Sequence, residues 1–90
     1  MAIVFLESAG KHGFTEDDVI HAMTYKRLVR RQFDHSRAAM KADPTLWIGP
    51  ACDGRLIEVM TYVDPPRDVV VFHCMALRDK FRRLMEGEQS

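Results

Sequence analysis

Three apolar runs separated by turn residues dominate the second half of the chain: Thr45 to Ala51, Arg55 to Val63, and Asp68 to Met75, divided by Asp53-Gly54 and by Asp64-Pro65-Pro66-Arg67. Runs of this length, rich in branched and aromatic residues and bounded by Gly, Pro and Asp, predict strands joined by tight turns, and so an antiparallel meander. Val69-Val70-Val71-Phe72 has no polar face, so its strand is expected to be central or covered by helix on one side. Upstream the signal changes at Phe14-Thr15-Glu16-Asp17-Asp18-Val19. Thr15 can cap a helix, three acids sit at its positive end, and Phe14 can staple to Val19, which predicts a helix from about Glu16 to Thr24. At the far end, Leu77 to Met85 places Leu77, Phe81, Leu84 and Met85 on one helical face, with Arg78, Arg82 and Arg83 mostly off it. Glu86 to Ser90 reads as a frayed end.

Between the first helix and the meander the pattern is less regular. In Tyr25 to Phe33 aromatic and branched residues interleave with Lys26, Arg27, Arg30 and Arg31, which reads as a strand with basic exposure, helix being the competing reading. Residues 34 to 44 read as a loop with a helical turn ahead of Pro44. The expected fold is α+β: a small antiparallel sheet of about four strands, an N-terminal helix and a C-terminal helix.

Ninety residues, 47% apolar and 29% charged, make one domain spanning 1–90, close to the lower size for a self-sufficient core, and exclude a multidomain enzyme. Thirteen basic residues cancel thirteen acidic ones, so whole-chain charge makes no case for nucleic acid or membrane and any electrostatic argument is local. No run approaches the roughly 18 apolar residues of a membrane span, and the start at Met1 has no basic flank or long apolar stretch, so a cytoplasmic protein with no membrane partner is expected. Cys52 and Cys74 lack C-x-x-C spacing and read as free thiols, and the scattered His12, His21, His35 and His73 give no metal-ligand pattern. No metal or cofactor is expected.

Locally the charge is far from balanced. Residues 19 to 42 hold six basic side chains (Lys26, Arg27, Arg30, Arg31, Arg37, Lys41) against Asp34 alone, and the last helix adds Arg78, Lys80, Arg82 and Arg83 against Asp79. Placed on one side, these make a surface for phosphates or an acidic partner; as isolated runs they are a solvated face. The second hairpin is more specific. With Asp64 to Arg67 as its loop, Val63 pairs with Asp68 and Glu58 stands directly opposite His73 on one sheet face, unless a bulge intervenes. A carboxylate facing an imidazole can move protons for a substrate that reaches it, or be only a buried hydrogen bond satisfying two polar groups. Lys11-His12-Gly13 precedes the helix cap, where Gly13 allows an unusual backbone angle and Lys11 or His12 can meet an anion, although the acids at 16 to 18 oppose this. His21 reads as a boundary residue, and Trp47, taken with Met60 and Tyr62, as core packing before base stacking.

Lys11-His12-Gly13-Phe14-Thr15-Glu16-Asp17-Asp18, Gly54-Arg55-Leu56-Ile57-Glu58-Val59 and Val71-Phe72-His73-Cys74-Met75-Ala76-Leu77-Arg78-Asp79-Lys80-Phe81 resemble the BrnT-like toxins, over about residues 8 to 83. The resemblance implies a RelE-type ribonuclease fold and the toxin of a type II toxin-antitoxin pair. Such a toxin cleaves mRNA without a metal, on the ribosome or free, and is held by a cognate antitoxin, typically with a ribbon-helix-helix part. Under it, His73 or Glu58 handles protons, Arg78 and Lys80 stabilise the phosphate, and Lys11, His12, Lys26, Arg27, Arg30 and Arg31 hold RNA or antitoxin. Where BrnT-like chains read Ser-Ala-Arg, this one has Met75-Ala76-Leu77-Arg78. The alternatives are a non-catalytic interaction or nucleic-acid-binding module with a toxin-like fold, and a toxin with another target such as gyrase, because fold does not fix function.

Overall fold

A computed structural model describes residues 3–31, 44–64 and 68–89. Five strands and three helices follow in the order β1 (Ile3–Phe5), α1 (Glu7–Gly10), α2 (Glu16–Thr24), β2 (Leu28–Arg30), β3 (Thr45–Pro50), β4 (Leu56–Asp64), β5 (Asp68–Ala76) and α3 (Asp79–Gln89). The fold is α+β, but the sheet is mixed and has five strands, in the order β1-β5-β4-β3-β2. The additional strand comes from the N-terminus, where Ile3, Val4 and Phe5 pair in parallel with Val69, Val70 and Val71. A three-residue strand has no room to display alternation, and parallel pairing carries no hairpin signal in the adjacent sequence.

The meander lies close to its expected limits. The expected basic strand from Tyr25 to Phe33 shortens to Leu28–Arg30; residues 32–43, which include the end of that run, Arg37, Lys41 and most of the expected loop, lie outside the described residues, as do 65–67. At the C-terminal end the helix starts two residues later than expected, because Leu77 N–H still donates to Leu56 O at 3.1 Å and extends the ladder. The helix also continues past Met85 to Gln89, where Glu86, Glu88 and Gln89 are good helix formers and no proline stops them.

Thr15 closes a capping box over α2, its hydroxyl accepting from Asp18 N–H while the Asp18 carboxylate accepts from Thr15 N–H. The other carboxylate oxygen of Asp18 accepts from Cys52 N–H at 3.0 Å, fastening the helix start to the β3–β4 turn. In that turn Gly54 N–H donates to Ala51 O. The helix also comes very close to the sheet. A Cβ on Gly49 would lie 2.2 Å from the carbonyl oxygen of Ala22, so only glycine fits under α2 there.

Each face of the sheet has its own core. On one, Ala9, Phe14, Val19 and Ala22 from the helical N-terminal part bury against Ile57, Val59, Val71 and Cys74. On the other, Phe81 and Met85 of α3 pack on Leu28, Leu46 and Ile48, with Leu56, Met60, Leu77 and Leu84 around them. Each fully buried branched side chain contributes about 1.5–3 kcal/mol. Trp47 belongs with the first core and pairs with Val59, so it faces away from Met60 rather than packing beside it, and its indole N–H donates to Thr61 Oγ1 at 3.0 Å.

Candidate functional site

The β4–β5 register decides which side chains meet. Asp64 pairs with Asp68, Tyr62 with Val70 and Thr61 with Val71, one residue out of step with the sequence expectation. Between Met60 and Thr61 the register shifts again, so Met60 pairs with His73 and Glu58 with Met75. Glu58 is therefore not directly opposite His73, a correction caused by the bulge and the position of the closing pair. The two one-residue offsets cancel in facing, because side chains alternate with period two. Glu58 and His73 remain diagonal neighbours on one face, and His73 Nε2 lies 2.9 Å from Glu58 Oε2.

The bulge is visible in the facing of β5. Val71 and Cys74 both enter the first core although three positions apart, so one alternation is lost between them. Phe72, which has no register partner, and His73 consequently both face the α3 side. Such an extra residue bends a strand and redirects side chains. On that side Phe72 and Tyr62 have ring centres 5.7 Å apart, and neither belongs to either apolar cluster of the described residues.

Glu58 is fully buried. Oε1 accepts from the backbone N–H of Arg78 at 3.0 Å and from its Nε at 3.1 Å, and Oε2 accepts from Arg78 Nη2 at 2.6 Å and from His73. Burial is the largest single influence on this carboxyl and raises its pKa, but the bonds from His73 and Arg78 together outweigh it and hold the pKa below the ordinary glutamate value. With no exposure and four donors, Glu58 cannot reach a substrate proton. Its place is to orient His73 and Arg78, which corrects the expectation that it exchanges protons with substrate.

The two groups it orients do reach solvent, with 21% of the His73 side chain and 39% of the Arg78 side chain exposed. No buried side-chain nitrogen or oxygen among the described residues lacks a partner, so His73 Nδ1, which has none, lies at the surface. Arg78 keeps Nη1 for other acceptors and sits over the Phe81 ring at 5.1 Å, beside Lys80 Nζ at 4.8 Å from the same ring. The exposed His12 completes the group, with its ring centre 6.3 Å from that of His73. It arrives there because α1 runs along the outer side of β5, where Ser8 Oγ donates to Phe72 O at 2.8 Å. Gly13, at φ 88°, turns the exposed Lys11-His12 segment into the α2 cap.

Other expected residues do not join this cluster. β2 is at the opposite edge of the sheet from β1, three strands from β5, a separation of about 14 Å at normal strand spacing. Lys26 lies over the Trp47 ring at 5.9 Å, Arg27 and Arg31 are exposed, and Arg30 is half-buried. His21 is a boundary residue whose Nδ1 donates to Pro50 O at 2.8 Å. Both cysteines are free, and burial pushes the Cys74 thiol up to about 12, which leaves it unreactive. Among the described residues no three His, Cys, Asp or Glu side chains are grouped to hold a metal ion, and no helix is long and apolar enough to cross a membrane. No family model, curated protein or solved structure matches the chain.

Proposed function

We propose that this protein is the toxin of a type II toxin-antitoxin pair and cleaves single-stranded RNA without a metal. The observation that carries this reading is a pair of imidazoles, His12 and His73, 6.3 Å apart between ring centres beside a guanidinium fixed by a buried carboxylate. Metal-free cleavage needs a base for the 2′-hydroxyl, an acid for the leaving oxygen, and cations where charge develops on the phosphate. One imidazole takes the 2′-hydroxyl proton as that oxygen attacks phosphorus. The P–O5′ bond breaks, and the second imidazole protonates the departing oxygen, leaving a 2′,3′-cyclic phosphate and a 5′-hydroxyl. Arg78, with Lys80 over the same Phe81 ring, neutralises the phosphate oxygens, and Lys11, next to His12 in the chain, adds a further cation. Glu58 keeps His73 and Arg78 in place, and the exposed Arg27 and Arg31 suit RNA backbone or an acidic antitoxin.

The test is cleavage of a labelled single-stranded RNA in excess chelator, with purified wild type and the His12→Gln and His73→Gln variants checked for folding by circular dichroism. Wild type should cut, a single 2′-deoxy nucleotide at the scissile position should block cutting, and each variant should lose on the order of 10²–10⁴ in rate. Expression of wild type should arrest growth, and of His73→Gln should not. Folded variants that cut as well as wild type would refute the site. A wild type that binds RNA but never cuts it would favour the non-catalytic module.

A further inference from the structure

On the α3 side of the sheet the helix covers β2, β3 and the adjoining part of β4, through contacts of Phe81 and Met85 with Leu28, Leu46 and Ile48. Tyr62 and Phe72 share that side and are half-buried, yet they belong to neither core formed by the described residues. Aromatic rings ordinarily dominate core packing, and among the described residues these two stand apart from both clusters. The bulge is what brings Phe72 to this side, directly before His73 in the chain. His73, next in the chain, leads from the rings into the cluster of His12, Arg78 and Lys80. Glu58, the acid in contact with His73 and Arg78, is already neutralised by Arg78.

We infer that Tyr62 and Phe72 form a stacking subsite for one nucleobase of a single-stranded RNA whose adjacent phosphate lies at His12, His73 and Arg78. The inference rests on the RNA-cleaving reading and adds a substrate contact to it. Bases stack on aromatic side chains in single strands and loops, whereas paired bases keep their faces covered, so the surface selects unpaired RNA. The charge is complementary, with cations at the phosphate end and rings at the base end. Recognition by stacking tolerates sequence, so the subsite sets which strand geometry is accepted more than which base.

The experiment uses a short single-stranded RNA with a 2′-deoxy nucleotide at the scissile position, carrying 2-aminopurine beside it, with the full-length protein. Binding by wild type should quench 2-aminopurine fluorescence, and replacing that nucleotide by an abasic one should weaken binding about 5- to 100-fold. Tyr62→Leu and Phe72→Leu keep apolar bulk, and each should lose the quenching and bind the intact and abasic strands alike. That last comparison separates stacking from a general loss of structure, which would weaken both strands together, and a thermal melt confirms folding. Quenching and abasic discrimination unchanged in both folded variants would overturn the subsite, even if cleavage by His12 and His73 stands. Ring-dependent quenching without cleavage of the all-ribose strand would retain the subsite and remove the nuclease.

Discussion

Replacing Arg78 by methionine tests the energetics of the buried carboxylate without reference to any substrate. Glu58 is fully buried and receives from Arg78 one backbone and three side-chain hydrogen bonds, the shortest 2.6 Å. Methionine keeps the backbone donor and much of the aliphatic stem but leaves the carboxylate with His73 as its remaining side-chain partner. Removing one member of a buried ion pair destabilises by about 3–5 kcal/mol. Because the Arg78 side chain is 39% exposed, its charge is partly screened, and about 2–3 kcal/mol is the expected loss. Urea unfolding at pH 7 measures it directly, and melting temperature should fall on the order of 10–20 °C for a domain of this size. Combining Glu58→Gln with Arg78→Met removes the orphaned charge, so the double variant should be more stable than the sum of the single losses implies, by more than about 1 kcal/mol. A loss below about 0.5 kcal/mol for Arg78→Met, or additive effects in the cycle, would show that Arg78 is not what makes burial of Glu58 tolerable.

Three further outcomes follow from the same structure. Because the Glu58 pKa is depressed in the folded state, its ionised form contributes stability above the ordinary glutamate value of 4.5 and loses it as pH falls through the folded pKa; the stability gap between wild type and Glu58→Gln, followed by urea titration from pH 7 to 3, should close below about 4.5 and would contradict the assignment if it widened. Gly49→Ala places a Cβ against the backbone carbonyl of Ala22 and should destabilise by about 1–3 kcal/mol in a thermal melt. Asp18→Ala removes both the α2 cap partner and the acceptor for Cys52 N–H and should lower unfolding free energy by about 0.5–2 kcal/mol, with amide exchange accelerating at Cys52.

Local chemistry made parts of this fold legible. Thr15, Asp53-Gly54 and the stripe Leu77, Phe81, Leu84, Met85 act within a few residues of themselves, and the α2 cap, the β3–β4 turn and the α3 face follow from them. Ile3–Phe5 could not be read in that way, because its partner strand begins more than sixty residues later and nothing nearby encodes the pairing. The Glu58–His73 contact was legible in its facing and not in its register. Alternation survives an even slip, whereas the bulge depends on how β5 settles against Leu6 and α1 at one edge and β4 at the other. Phe72 escaped notice for the same reason, and His12 met His73 only through α1, whose four residues carry no amphipathic pattern to detect.

The unpaired residue at Phe72 is a separable addition to β5. Excising its codon would leave Val71 and Cys74 two positions apart, so ordinary alternation would keep both in the first core, His73 opposite Met60 and Arg78 in phase with Glu58. A one-codon deletion there subtracts an aromatic ring and leaves the ion-paired cluster standing, so a mutational scan should tolerate it better than deletions elsewhere in the strand.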